Sequence, residues 1–259
     1  MLLAADVGNT EIVLGVFRGP ELVHTWRVST QAERTADELA LLLSGFLAQE
    51  GMSFESQITG LVIASVVPDV TAAVREMAAR YVPVPPVIVG PGTKTGVPVL
   101  TDNPREVGAD RVVNALAAFS RFGGPAIVVD FGTATNFDVI SAKGEFVGGV
   151  IAPGMQASAA SLFSRTARLT RVELTAPESV IGTSTVACIQ SGLIFGTAAQ
   201  VDGIVERIRA ELGPATVIAT GGLAPVVLPH CHTIDHHEPW LTLEGLRLVF
   251  ERNVVTADE

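Results

Sequence analysis

The sequence is poor in cysteine and in basic side chains. Cys188 and Cys231 are its only cysteines in 259 residues, too few for a disulfide framework, and we expect two reduced thiols in a cytoplasmic protein. Lys and Arg number 17 against 27 Asp and Glu, a formal charge of −10. Nucleic acid is therefore disfavoured as a main partner, because basic surfaces bind phosphate backbones. A nucleotide is still allowed, since a metal ion can neutralise its phosphates locally.

The sequence also shows no basic segment ahead of its apolar start, so we expect no secretory signal. One uncharged stretch, Phe146 to Phe163, is nearly long enough to span a bilayer. Gly148-Gly149 and Pro153-Gly154 interrupt it, and its serines make it weakly hydrophobic. A buried strand, a turn and the start of a helix explain the stretch better. We therefore expect a soluble protein that makes no use of a membrane.

What the sequence has is apolar content, 48% of its residues, which allows one large core or two of moderate size. The beginning of the chain predicts a meander of three strands at Leu2 to Ala5, Ile12 to Phe17 and Glu21 to Val28. Its first turn holds Asp6-Val7-Gly8-Asn9-Thr10. A helix, a strand, a helix and a short strand are predicted next. In chain order they are Thr35 to Gln49, Leu61 to Val67, Pro68 to Ala79 and Pro83 to Val89.

The same order of elements begins again in the second half of the chain. A strand from Ala126 to Val129 ends at the turn Asp130-Phe131-Gly132-Thr133-Ala134-Thr135. Two strands, a long helix and another strand are predicted after it. They are Asn136 to Ser141, Glu145 to Ile151, Thr183 to Leu212 and Thr216 to Ala219. Each turn thus lies between the first two strands of a meander, and we predict an α/β chain duplicated into domains 1–117 and 118–259.

The two Asp-x-Gly turns carry groups suited to a nucleotide. A strand-end aspartate can hold a metal ion, and a glycine lets the backbone approach a phosphate without a Cβ clash. Hydroxyls and amides that follow can bind phosphate oxygens. Either turn alone is more typical of an ordinary hairpin, but two at matching positions favour a triphosphate clamp across a cleft. This arrangement resembles the superfamily of acetate and sugar kinases, actin and heat-shock ATPases, which implies two ribonuclease-H-like domains.

A segment that joins the two halves, Gly108-Ala109-Asp110-Arg111, precedes the helical spacing of Val112 to Phe119. Asp110 would lie in the first turn of that helix, where the helix dipole favours a carboxylate ready to accept a proton. Arg111 offers a planar fork for a carboxylate or phosphate. The alternative is an N-cap aspartate beside a solvated arginine.

Three further segments allow two interpretations each. Gly182-Thr183-Ser184-Thr185 could hold an anion at a helix start or simply cap the helix. Thr220-Gly221-Gly222-Leu223 could lie against an adenine or form a tight turn between strand and helix. The histidines between His230 and His237, with Cys231, invite a zinc site, but their spacing resembles no closed zinc pattern, and a surface loop is favoured.

Taken in order, these segments resemble the type III pantothenate kinases over nearly the whole chain. The stretches that carry the resemblance are Asp6 to Thr10, Asp102-Asn103-Pro104, Gly108 to Arg111, Asp130 to Thr135 with Phe137-Asp138, Gly148 to Gly154, Gly182 to Thr185, Gln190-Ser191-Gly192, Thr220-Gly221-Gly222 and Leu241 to Leu246. The resemblance implies ATP-dependent phosphorylation of pantothenate to 4′-phosphopantothenate, the first committed step toward coenzyme A.

The resemblance also implies a role for each site residue. Asp110 would be the catalytic base, and Arg111 would pair with the substrate carboxylate. Asp6 would organise Mg²⁺ through phosphate or water, and Asp130 would hold a monovalent cation, potassium or ammonium. The residues implied to bind ATP are Asp6, Val7, Gly8, Asn9, Thr10, Glu11, Ile12, Val13 and Thr133. Those implied to bind pantothenate are Gly108, Ala109, Asp110, Arg111 and Thr185.

The family also implies a homodimer with the pantothenate pocket at its interface. Three positions, Thr101, Asn136 and Ser184, depart from the residues usual in the family. A different kinase or phosphatase on the same fold, and a regulator of the Bvg accessory factor type, are the alternatives. Such a regulator would be expected to lose Asp110 or a phosphate turn, or to carry a basic face. This chain keeps Asp110 and both turns, and it is acidic.

Overall fold

The computed structural model describes residues 1–164 and 172–254, which form two compact units. The first unit contains Met1–Val97, Asp102–Ala117 and the stretch that begins at Thr242. The second contains Pro98–Thr101 and Ala118–Leu241. The chain thus returns to the first unit at its end. The division into domains 1–117 and 118–259 stays a prediction.

The first unit is built on a five-stranded mixed sheet. Its strands, in chain order, are β1 Leu2–Val7, β2 Glu11–Arg18, β3 Glu21–Ser29, β4 Gly60–Ser65 and β5 Pro86–Ile88. Their order in the sheet is β3-β2-β1-β4-β5. The first three form the predicted antiparallel meander, and β4 and β5 run parallel to β1. The central strand β1 is almost wholly apolar because both of its faces are covered.

The helices of this unit lie on both faces of the sheet. They are α1 Ala36–Gln49, α2 Pro68–Tyr81, the start of α3 Ala109–Phe122 and, after the second unit, the C-terminal helix Leu241–Val254. Leu39, Leu43 and Leu47 recur at helical spacing on α1 and share one core with Leu3 and Val7 of β1. Because side chains alternate along a strand, Leu2, Ala4 and Asp6 face the opposite side of the sheet.

The second unit repeats the same strand order. Its strands are β6 Ala126–Phe131, β7 Ala134–Ile140, β8 Phe146–Pro153, β9 Thr216–Thr220 and β10 His236–His237. They are ordered β8-β7-β6-β9-β10, so a meander again pairs through its first strand with two parallel strands. The helices are α4 Met155–Ser164, α5 Thr185–Leu212 and the short α6 Ala224–Val227, and the C-terminal helix is α7. This confirms the predicted α/β architecture with a repeated sheet.

The uncharged stretch from Phe146 to Phe163 forms β8, a turn and most of α4, as the sequence predicts. The expectation that the strand is buried is wrong, because alternate side chains of β8 such as Val147 and Ile151 are exposed. Within residues 1–164 and 172–254, none of the helices combines the length and the apolar character that a membrane span needs.

Candidate active site

The first Asp-Gly turn joins β1 to β2. Asp6 and Val7, which the sequence assigns to the turn, lie inside β1, where Asp6 pairs with Val13. The turn is closed by the Gly8 N–H, which donates to the carbonyl oxygen of Glu11 at 3.0 Å. The Thr30 hydroxyl donates to the Gly8 carbonyl at 2.7 Å. Sequence reasoning missed Thr30, because only the pairing of β3 with β2 brings it to this turn.

Asp110 is the second residue of α3, inside its first turn as predicted. It is therefore not the N-cap of the helix, and that alternative is wrong. One carboxylate oxygen, Oδ1, accepts the backbone N–H of Arg111 at 2.9 Å. A Cβ on Gly108 would overlap that same oxygen, so the carboxylate curls back over Gly108. Only glycine leaves room for it there.

Within the first unit, Asp110 and the first turn lie at the same edge of the sheet. β1 and β4 run in parallel with Val7 opposite Ser65, and the next residue, Val66, donates its N–H to the Val7 carbonyl at 3.1 Å. A Cβ on Gly108 would stand 3.6 Å from Val66 Cγ1. The structure thus brings two of the predicted groups of site residues together, 6–13 and 108–111.

Burial raises the pKa of Asp110, and this effect exceeds the lowering caused by the backbone bond and the charge of Arg111. The sequence predicts a carboxylate whose ionised form the helix dipole favours. The structure differs because the carboxylate lies among Gly108, Val66 and its own helix rather than in water. A raised pKa makes this carboxylate a stronger proton acceptor.

The second Asp-Gly turn joins β6 to β7. Asp130 is the fifth residue of β6, as Asp6 is of β1, and it pairs with Asn136 and Thr220 on the two neighbouring strands. Gly221 has φ of +92°, and a Cβ there would stand 2.5 Å from Asp130 Oδ1. The backbone of Gly221 therefore packs directly against the Asp130 carboxylate and the backbone of Phe131, an approach that only glycine allows.

The exposed Thr133 lies at the tip of this turn. A Cβ on Gly154, just before α4, would overlap its carbonyl oxygen and stand 2.7 Å from that of Gly132. The conformation of the turn is thus set by the chain that precedes α4. This explains why Gly154 belongs with the turn although it is distant in sequence.

Thr185 is the first residue of α5 and is exposed to solvent. The preceding Ser184 caps the helix by accepting the Ala187 N–H at 3.2 Å. A Cβ on Gly182 would stand 2.5 Å from the Cys188 N atom. The capping interpretation of this segment is thus confirmed for Ser184, a position where serine serves as well as asparagine. The role of Thr185 toward substrate stays a prediction.

The histidine segment is tied to α5 and to the sheet. His232 Nδ1 lies 2.6 Å from Asp202 Oδ2 of α5, and Asp202 also accepts the Thr233 N–H at 3.0 Å. His236-His237 form β10 beside β9, so the surface-loop prediction is wrong for these two residues. In the part of the chain that the structure describes, no group of three His, Cys, Asp or Glu is arranged to hold a metal ion.

The chain is similar to known proteins over nearly its whole length. The family model of the type III pantothenate kinases matches residues 2–207. The type III pantothenate kinase of Acidothermus cellulolyticus is 60% identical over 256 residues, 98% of this chain and 99% of that protein. That of Streptomyces griseus is 56% identical over 265 residues, 99% of this chain and 100% of that protein.

Solved structures with little sequence identity share the fold. Component A of the (R)-2-hydroxyglutaryl-CoA dehydratase from Acidaminococcus fermentans has a TM-score of 0.59 at 15% identity, over 100% of this chain and 99% of that one. A protein from Campylobacter jejuni described as a Baf family transcriptional activator has a TM-score of 0.60 at 15% identity, over 97% and 98%. These confirm the predicted actin-like ATPase fold. The family model and the identities over nearly the whole chain show the family: the chain belongs to the type III pantothenate kinases.

Proposed function

We propose that this kinase transfers the γ-phosphoryl group of ATP to the primary hydroxyl of pantothenate, giving 4′-phosphopantothenate and ADP for coenzyme A synthesis. The observation that carries the assignment to specific residues is the shared sheet edge in the first unit. There Val66, which donates a hydrogen bond to the end of β1, also lies beside Gly108, over which the Asp110 carboxylate folds. A phosphate-binding turn and a proton acceptor at one edge are the parts that phosphoryl transfer needs.

Asp110 is proposed as the catalytic base. Its oxygens would accept the hydroxyl proton of pantothenate while the new O–P bond forms and the bond to ADP breaks. Burial raises its pKa, so the carboxylate binds that proton more strongly than an exposed one would. Because the transition state of phosphoryl transfer is loose, the main tasks of the protein are positioning and charge neutralisation.

The turn after β1 is proposed to hold the ATP phosphates. Asn9 and Thr10 are its exposed residues and present amide and hydroxyl groups. The Gly8 N–H already bonds Glu11, so we infer that Gly8 contributes close approach rather than a donor. Residues 6–13 and Thr133 are thus the proposed ATP contacts.

The kinase family implies ATP and a divalent metal ion, and the carboxylates present fit such cations. Asp6 lies half-buried at the strand end on the sheet side that α3 and α7 cover, where its oxygens suit Mg²⁺. The Asp130 carboxylate, which the close approach of Gly221 holds at the end of β6, would suit a monovalent cation, K⁺ or NH₄⁺. When bound, the ions would neutralise the charge of the triphosphate, which an acidic chain could not do alone.

Pantothenate is proposed to contact Gly108, Ala109, Asp110 and Arg111, with Thr185 from the start of α5. A homodimer is supported by large apolar side chains exposed near Thr185, at Val180, Ile181 and Val186. Ile181 is 81% exposed, although isoleucine is usually buried, and a second subunit would cover it. The cytoplasmic location expected from the sequence also stays a prediction.

The test is an assay for 4′-phosphopantothenate with purified protein, ATP, Mg²⁺, K⁺ and pantothenate. We expect turnover by the native protein and a loss of about 10²–10⁴-fold in kcat for Asp110→Asn, since general-base catalysis is worth that much. The native rate should rise with pH through the raised pKa of Asp110, because only the ionised form accepts a proton. Lack of product from the native protein, or full turnover by Asp110→Asn, would contradict the proposal.

The regulator of the Bvg accessory factor type is not favoured. The chain keeps Asp110 and both turns, carries a charge of −10, and is closest in identity to kinases among the relatives above. The likeness to the Campylobacter jejuni protein is one of fold.

A further inference from the structure

We propose that Asn114, Thr242 and Gly245 are positioning residues, which hold the catalytic helix α3 at a fixed place by locking α7 against it. The inference rests on the proposed function, because it takes Asp110 as the base. It assigns a role to the segment Leu241 to Leu246, which the chemistry above does not use.

The first contact of this lock is a buried hydrogen bond between the two helices. Asn114 lies one helical turn after Asp110, on the same face of α3, and is only 1% exposed. The Thr242 hydroxyl, at the start of α7, donates to Asn114 Oδ1 at 2.8 Å. Removal of a hydrogen-bond partner from an amide buried this deeply destabilises the folded state. The bond therefore favours one register of the two helices.

The second contact is a close approach of the two backbones. Gly245 lies three residues after Thr242, on the same side of α7. A Cβ on Gly245 would overlap the carbonyl oxygen of Val113 and stand 2.7 Å from its carbonyl carbon. The backbone of α7 therefore rests directly on α3 beside Asn114. No side chain separates the helices there, so their spacing is set by main-chain contact.

The opposite side of α7 rests on the first sheet. Leu243 is 1% exposed, and a Cβ on Gly15 of β2 would stand 2.8 Å from its Cδ1 atom. Gly15 pairs with Ala4 of β1, so Leu243 covers the sheet face to which Ala4 and Asp6 belong. α7 thus contacts both α3 and the sheet face that carries Asp6.

This arrangement couples the position of the proton acceptor to that of the phosphate-binding turn. Asp110 moves with α3, and α3 is held by α7, which is itself seated on the sheet that ends in the turn. A catalytic base must lie within hydrogen-bond reach of its proton, and a misplacement of about 1 Å can cost about 10²-fold in rate. A lock on α3 therefore acts on kcat more than on nucleotide binding.

The test compares Thr242→Val with Thr242→Ser in the full chain. Valine keeps the shape and removes the hydroxyl, and we expect kcat to fall about tenfold while the Kd of ATP changes by less than about twofold. Serine keeps the donor and should restore most of kcat. The matched control is Thr197→Val on α5, which removes a half-buried hydroxyl that donates to Leu193 of its own helix at 2.6 Å. Its kcat should stay within about twofold of the native value.

Gly245→Ala is the second variant, because it pushes α7 from α3 while it removes no hydrogen-bonding group. We expect Gly245→Ala to lose at least as much kcat as Thr242→Val and to retain ATP binding. Both variants are assayed below the temperature at which they begin to unfold. If Asp110→Asn still abolishes turnover, then a native kcat in Thr242→Val, or a parallel loss of kcat and ATP binding, would overturn the lock. Full turnover by Asp110→Asn would instead overturn the proposed function on which the lock rests.

Discussion

Asp6 and Asp130 hold equivalent places in the two sheets but have different neighbours. Each is the fifth residue of a central strand. Four residues separate the paired ends Val7 and Ile12 after the first, whereas three separate Phe131 and Thr135 after the second. Gly221 abuts Asp130 Oδ1. The longer turn suits phosphates, and the Asp130 carboxylate that Gly221 holds in place suits a small cation, which is why we propose separate roles for them.

The residue-scale prediction concerns the contact between Gly221 and Asp130. Gly221→Ala would place a Cβ 2.5 Å from Asp130 Oδ1 and 2.7 Å from the backbone of Phe131, at a φ of +92°. We expect kcat to fall by about tenfold or more and the K⁺ concentration for half-maximal rate to rise, because the carboxylate must move. The measurement is kcat against K⁺ concentration.

Gly213 provides the matched control for this prediction. Its φ is +90°, nearly that of Gly221, but a Cβ there would meet nothing within 4 Å. Gly213→Ala should therefore cost only the backbone strain, about 1–3 kcal/mol of stability, and leave the K⁺ response unchanged. An equal K⁺ response in both variants would refute a cation at Asp130.

At the scale of elements, α1 shows how local sequence specifies a boundary. The side chain of Thr35 accepts the Glu38 N–H at 3.3 Å, and Glu38 accepts the Thr35 N–H at 2.8 Å. This reciprocal pair is a capping box, and it marks the start of the helix where the sequence predicts it. These contacts link residues only three apart, so they could be inferred without a fold.

The element-scale prediction follows from this cap. Thr35→Ala should lower the free energy of unfolding by about 1 kcal/mol and leave kcat unchanged, whereas Thr35→Ser should not lower it, because serine is at least as good an N-cap as threonine. The backbone and hydroxyl of Thr35 lower the pKa of Glu38. Its share of the cap is thus present at neutral pH and is lost as pH falls through that lowered pKa. Urea unfolding at neutral and acidic pH would measure both effects, and a pH-independent difference would contradict the assignment.

Other elements differ from prediction where the decisive contacts are distant. The strands next to the turns extend further than predicted: Asp6 and Asp130 lie inside β1 and β6 because neighbouring strands continue to pair with them. β10 was missed because two polar histidines form a strand only through their partner β9. The carboxylate and glycines of the site could be found from sequence. Thr30 could not, since its contact with Gly8 depends on strand pairing.

At the scale of the whole molecule, the repeated sheet order was predictable, because two similar turns fall at matching places in the chain. The return of α7 to the first unit was not. A simple duplication assigns the last helix to the second half, and only packing shows otherwise. The buried side chains that seat α7 are Leu241, Leu243, Leu246 and Val249, each 1% exposed or less.

The whole-molecule prediction is that a chain ending at Trp240 will not fold its first unit. Burial of each large apolar side chain is worth about 1.5–3 kcal/mol. Four of them approach the total stability of a typical domain, about 5–15 kcal/mol. Differential scanning calorimetry should show loss of one cooperative transition. Glu251→Ala, at an exposed position of the same helix, should leave the thermogram unchanged; native-like unfolding of the shortened chain would contradict this account.

The late position of α7 has a consequence for synthesis. A ribosome releases the strands of the first sheet before the second unit, but the helix that covers one of the faces of that sheet emerges after the second unit. The second unit can complete its own sheet while the first is still open on that side. Since α3 is seated on α7, we expect Asp110 to reach its final position only after α7 has been synthesised. A chain that stops before α7 is therefore expected to be inactive.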